Sequence, residues 1–161
     1  MPFLLDAGSG SGVPGVPFHL LRRHLRIPAP PVVMVESRGR KANFLRDLAR
    51  EMELPACHVF AGRLEDPALA GVLDGAGLEG PGIMAAKALG GTARALGWLR
   101  GLAGRIDRAV FIKGPGLATE WRREHARWIR AGWAPATTLA FHFPERDQYL
   151  LRLQRRVAAA E

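Results

Sequence analysis

Residues 6–15 read DAGSGSGVPG, an acid followed by glycines at every second position: Asp6, Gly8, Gly10 and Gly12, with Gly15 beyond. Glycine lacks a Cβ, so such a loop turns tightly and its backbone can approach a ligand closely. A helix starting just after it adds unpaired N–H groups suited to an anionic ligand group. Further along, Glu36 ends the β-branched run VVMVE. A carboxylate at that place can accept both hydroxyls of an unmodified ribose. Glycine loop and strand-end acid together describe a site for a nucleotide-like cofactor. Other chemistry is thinly represented. The histidines at 19, 24, 58, 125 and 142 lack metal-ligand spacing, so no metal is expected. Cys57, the single cysteine, sits beside His58 on a strand where neighbours point to opposite faces, and it reads as a core thiol.

These residues need elements to position them. PFLLDAG reads as a buried strand entering the glycine loop, and FHLLRRHL as a helix with Phe18, Leu21 and Leu25 on its apolar side. After the break at IPAPP come the strand VVMVE and the helix SRGRKANFLRDLAREMELP. Phe44, Leu45, Leu48 and Met52 line one face of that helix, and Pro55 closes it. ACHVFAG, IMAAKA and RAVFIKG are three further strands. A loop with a short helix (RLEDPALAGVLDG) and the helix TARALGWLRGLAG separate them. In TEWRREHARWIRAGW the spacing places Trp121, Trp128 and Ile129 inward and Arg122, Arg123, Arg127 and Arg130 outward. PATTLAFHF and YLLRLQRR flank the turn PERDQ, a connection too short for anything but an antiparallel pair. Strands alternating with helices predict an α/β fold with a mostly parallel sheet covered on both faces. No linker or internal repeat divides residues 1–161, so a single domain is expected, with low complexity confined to the VAAAE tail.

Composition sets wider bounds. Of 161 residues 48% are hydrophobic and 24% charged, which excludes a disordered chain. No uncharged apolar run reaches the ~18–20 residues that span a bilayer, and no signal peptide is legible, so a cytoplasmic protein without a membrane partner is expected. The net charge is +8, carried mostly by arginine. A basic balance of this size fits a polyanionic partner such as nucleic acid.

Two ligands compete for the loop. Reading residues 10–15 as the dinucleotide fingerprint G-x-G-x-x-G places Pro14 in the turn and leaves Gly8 without a role. Asp6 directly ahead of the glycines fits S-adenosylmethionine better. So does the lack of a second mononucleotide-binding half, and so does the terminal hairpin. The ordered set DAGSGSGVPGVPF, VESRGRKANFLRDLARE, GRLED and FIKG resembles the RsmG (GidB) family of bacterial methyltransferases. That resemblance covers about residues 3–115 and, weakly, ERDQYLLRLQ. It implies a class I S-adenosylmethionine-dependent methyltransferase (Rossmann-like) fold, and methylation of guanine N7 in 16S rRNA of the small ribosomal subunit; a monomer is expected.

By the same resemblance Gly8, Gly10 and Gly12, with Asp6, hold the methionine end of the donor. Glu36 holds the ribose, and Leu64 and Glu65 border the adenine. Family members carry S-R-A after the fourth strand, and here Ala86-Lys87-Ala88 stands in its place. Lys87 keeps the charge but exchanges a planar fork for a flexible point charge. Lys113 matches the lysine after the fifth strand. Lys87 and Lys113 are thus the candidate catalytic residues, and Arg40, Lys41 and Arg146 are candidates for RNA contact. Members of the family also have a helical segment ahead of the first strand, and this sequence opens at the strand itself. Guanine N7 offers a free lone pair, so its methylation needs alignment rather than a general base. Two other readings remain: a donor-binding module on RNA that transfers nothing, and a related methyltransferase with another acceptor.

Overall fold

The computed structural model describes residues 2–142 and 144–156; the VAAAE tail from Val157 onward and Phe143 lie outside the described residues. The elements run β1 (Leu4–Ala7), α1 (Gly15–His24), β2 (Val32–Glu36), α2 (Gly39–Glu51), β3 (Cys57–Ala61), α3 (Ala68–Gly75) and β4 (Gly82–Lys87). They continue with α4 (Thr92–Trp98), a 3-10 turn (Leu99–Leu102), β5 (Ile106–Lys113), α5 (Leu117–Arg130), β6 (Trp133–Phe141) and β7 (Gln148–Arg155). The strands form one seven-stranded sheet in the order β3-β2-β1-β4-β5-β7-β6. Pairs among β1–β5 are parallel, and β7 runs antiparallel to both β5 and β6. The chain order reverses between β1 and β4. That crevice, beyond the carboxyl ends of the strands, is where open α/β sheets bind ligands.

Strand alternation sorts the core into two layers. Leu5, Val33, Val35, Met84, Ala86, Ala109 and Phe111 face α3, α4 and α5, whose Leu69, Leu73, Ala95, Leu96 and Trp128 complete the larger cluster. Leu4, Val32, Met34 and Ala85 face the other way, onto Val16 of α1 and Leu45 of α2. Those two helices cover less of the sheet. Val110, Ile112 and Leu150 stay half-buried and line an apolar groove of about 340 Å³ with Phe18 and Ile83.

The helices keep the expected order but not always the expected phase. In α1 the buried side chains are Val16 and His19, while Leu21 is 57% exposed and Leu25, just past the helix, 53%. The tight entry from the glycine loop seats Gly15 and Val16 against the sheet and so turns Leu21 outward. In α2 Ala42 and Leu45 are buried, Leu48 and Met52 are partly so, and Phe44 is exposed. In α5 Leu117 and Trp128 are buried and Trp121 packs half-buried on the same core, its ring meeting Trp128 edge-on at 5.4 Å. Ile129, expected inward, is exposed. Cys57, expected in the core, is half-buried, and burial pushes its thiol up to about 11.

Candidate functional site

The glycine loop is held by backbone bonds and two buried carboxylates. Gly8, Gly10 and Gly12 take φ of 70°, 57° and 91°, a region that side chains disfavour. The amides of Gly8 and Ser9 both donate to the Val35 carbonyl (2.9 and 3.0 Å), tying the loop to the end of β2. A Cβ on Gly10 would meet nothing nearer than 3.8 Å, so this part of the loop opens to the cleft.

Asp6 is fully buried beneath the loop. Its Oδ2 accepts the Gly15 N–H at 3.0 Å, and the Ser9 hydroxyl donates to the Asp6 carbonyl at 2.8 Å. Gly15 has no room for a side chain there, since a Cβ would lie 2.8 Å from Asp6 Oδ2 and 3.0 Å from Val32. Burial pushes the Asp6 carboxyl up to about 6, against the pull of the Gly15 N–H and Ser9. Asp6 thus braces the loop from behind. Its Oδ1 is buried and has no hydrogen-bond partner among the described residues.

Glu36 closes the loop from the front. Its Oε2 accepts the Gly10 N–H and its Oε1 the Arg38 N–H, both at 2.9 Å, with the residue 7% exposed. A carboxylate fixed on two amides keeps lone pairs for hydroxyl donors and cannot swing away from them. Beside it, Gly8, Val35, Ser37, Gly62, Leu64 and Glu65 line a small cavity of about 100 Å³ that Leu89 and Trp98 close. Leu64 is buried in its wall and Glu65 is exposed at its rim. The open glycine backbone, the anchored acid and the apolar wall fit the parts of S-adenosylmethionine: an amino-acid end, a ribose and an adenine.

A second cavity, about 340 Å³, lies across the crevice. Lys87, Ala88, Gly90, Ile112, Lys113, Gly114, Arg146 and Gln148 line it, so three cations from β4, β5 and the β6–β7 turn converge there. The segment after β4 separates the two cavities, with Leu89 walling the first and Ala88 and Gly90 the second. Leu89 also reaches the glycine loop, its Cδ1 lying 2.8 Å from where a Gly8 Cβ would be. Ala88 and Gly90 hold φ of 56° and 50°, a left-handed turn that costs energy at Ala88 and therefore needs outside support.

That support comes from Lys113 and Glu120. The Lys113 ammonium donates to the Gly90 carbonyl at 3.1 Å and pairs with Glu120 Oε2 at 3.0 Å, the two side chains being 10% and 18% exposed. Glu120 Oε1 in turn accepts the Thr92 N–H that opens α4, at 2.5 Å. Burial works to raise the Glu120 carboxyl. Hydrogen bonding from Thr92 and the Lys113 charge outweigh it and hold the group below the usual carboxylate range. Lys113 is therefore committed to the wall, whereas Lys87 and Arg146 are exposed. Glu120 went unnoticed in the sequence because its contact closes across a strand-to-helix turn and leaves no local pattern. Arg40 and Lys41 stand exposed in the first turn of α2 and line neither cavity. No group of three or more His, Cys, Asp or Glu that could hold a metal occurs among the described residues.

Solved structures with the same architecture include the METTL16 methyltransferase domain (TM-score 0.72, 13% identity, covering 96% of this chain and 59% of that one). Another is magnesium protoporphyrin IX methyltransferase from Synechocystis, crystallised with bound S-adenosylmethionine (TM-score 0.62, 14% identity, 94% and 69%). At such identities the likeness establishes the fold alone, that of class I methyltransferases. Sequence relatives reach further. The chain is 33% identical over 156 residues to ribosomal RNA small subunit methyltransferase G 1 of Syntrophobacter fumaroxidans, covering 93% of this chain and 66% of that protein. It is 34% identical over 125 residues to the corresponding protein of Parvibaculum lavamentivorans, covering 78% and 51%. The chain thus spans about half to two thirds of these relatives' lengths. The family model of rRNA small subunit methyltransferase G matches residues 2–149, and the chain belongs to that family.

Proposed function

We propose that this chain binds S-adenosylmethionine and methylates N7 of a guanine in 16S rRNA, acting as a monomer in the cytoplasm. The observation that carries the reading is the pair of cavities meeting at residues 87–90: a cradle suited to the donor on one side, a cationic cavity on the other. When bound, S-adenosylmethionine supplies an electrophilic methyl group on a sulfonium. Gly8, Gly10 and Gly12 present backbone to its amino-acid end, Glu36 takes the ribose hydroxyls, and Leu64 with Glu65 flank the adenine.

Lys87 and Arg146 attract the phosphates of the acceptor strand and orient the base at the shared wall. Lys113 holds that wall in place. The acceptor nitrogen carries its own lone pair, so no side chain has to remove a proton, and alignment is the main contribution of the protein. Arg40 and Lys41 join only as outlying phosphate contacts.

Incubation with tritiated methyl donor and either 30S subunits or deproteinised 16S rRNA tests the reading. Label in guanine N7 that Glu36→Ala abolishes supports it. A folded chain that binds donor but leaves both RNAs unlabelled sinks it and favours the module that transfers nothing.

A further inference from the structure

The acids and the bases of α5 point to different tasks. Glu120 is taken up by Lys113 and Thr92, and Glu124 turns the same way, its Oε2 accepting the Ala93 N–H at 3.3 Å. The four arginines, Arg122, Arg123, Arg127 and Arg130, are all exposed, and none forms an ion pair or side-chain hydrogen bond among the described residues. Some other arginines are paired, Arg50 with Asp47, Arg105 with Asp74 and Arg108 with Asp107.

Helical spacing sets Arg123, Arg127 and Arg130 in one row, four and three residues apart, with Arg122 alongside. At ~1.5 Å of rise per residue the row is roughly 10 Å long. Like charges at these spacings repel one another, and the inward-turned acids do not relieve them. The helix dipole accounts for Arg127 and Arg130 in the last turn but not for Arg122 and Arg123 in the middle. α5 begins four residues after Lys113 ends β5, and the row starts in its second turn.

We propose that the arginine face of α5 is an RNA-backbone binding surface that seats a phosphate strand running away from the cationic cavity. Arginine forks suit phosphate oxygens, and a row of them reads charge and shape rather than sequence. The proposal deepens the RNA-methylation reading and borrows from it only the identity of the RNA.

The test measures binding of a fluorescein-labelled RNA duplex by anisotropy across a salt series, for the unchanged chain and for R122Q/R123Q/R127Q/R130Q. Loss of up to four phosphate contacts lowers the slope of log affinity against log salt by roughly 3, and weakens binding more than about tenfold at moderate salt. Affinity for S-adenosylmethionine, read by calorimetry, stays unchanged, since none of the four residues lines the donor cavity. Should the fourfold variant fold poorly, R122Q/R123Q and R127Q/R130Q each lower the slope by roughly half as much. An unchanged slope in folded variants overturns the proposal, even if methyl transfer to rRNA is found. A lowered slope in a chain that methylates no rRNA leaves the surface standing and removes only the choice of substrate.

Discussion

The two sides of the crevice are built by opposite means. On the donor side, buried carboxylates grip backbone amides: Asp6 holds Gly15, and Glu36 holds Gly10 and Arg38. On the proposed acceptor side, exposed cations line an open cavity, and its wall hangs on one ion pair, Lys113 with Glu120. Backbone held by buried acids is rigid and tolerates little change. A cavity lined by flexible charged side chains can adapt to a large polyanion and lose members one at a time. The difference suits a small cofactor of fixed shape on one side and a strand of RNA on the other.

Substitutions should therefore hurt the two sides unequally. The largest effect is expected from Glu36→Ala, which strips a charged acceptor from two amides and from the ribose hydroxyls it is proposed to hold. Donor affinity measured by equilibrium dialysis should fall by roughly a hundredfold or more. A loss of threefold or less would contradict the role of the anchored acid.

Asp6 supplies a pH dependence. Its folded-state value of about 6 lies above the unfolded 3.8, so its contribution is fully present below pH 4 and is lost as pH rises through 6. The stability difference between the unchanged chain and Asp6→Asn, taken from urea melts, should fall by up to about 3 kcal/mol across that window and level off above it. A difference that stays flat from pH 4 to 7 would place the charge elsewhere.

Gly15→Ala pushes a methyl group onto Asp6 and Val32 and should cost about 2 kcal/mol in the same melts. Gly39→Ala, where a Cβ would meet nothing within 4 Å, should be neutral or slightly stabilising. Equal costs would mean that the loop yields more than its packing implies. On the acceptor side Lys87→Ala should lower kcat only about tenfold, and Lys87→Arg should restore it, because one charge among several is lost. A collapse of donor affinity in Lys87→Ala would erase the distinction between the two sides.

Most of the donor side was legible in the sequence, and less of the acceptor side. The loop is local, an acid and glycines in the turn between β1 and α1, and Glu36 ends the neighbouring parallel strand β2, so the pairing of consecutive strands brings the two together. Alternation of strand and helix carried the sheet, and the short PERDQ connection carried the terminal hairpin. Helix faces were harder. In α1, only ten residues long, apolar side chains at 16, 18, 20 and 21 allow more than one phase, and the entry from the loop decides among them. Lys113 was found by its match to the family's lysine after the fifth strand, but the sequence could not show that Glu120 and the Gly90 carbonyl consume its charge. Arg40 and Lys41 open the helix after Glu36 yet line neither cavity, because neighbours in sequence diverge around a helix turn.

The most direct test of this asymmetry is calorimetric titration of S-adenosylmethionine into the unchanged chain, Glu36→Ala and Lys87→Ala, with circular dichroism checking each fold. One-to-one binding by the unchanged chain, equal affinity in Lys87→Ala and no measurable heat from Glu36→Ala are expected. A folded unchanged chain that binds no donor, or two variants that lose binding alike, would contradict it.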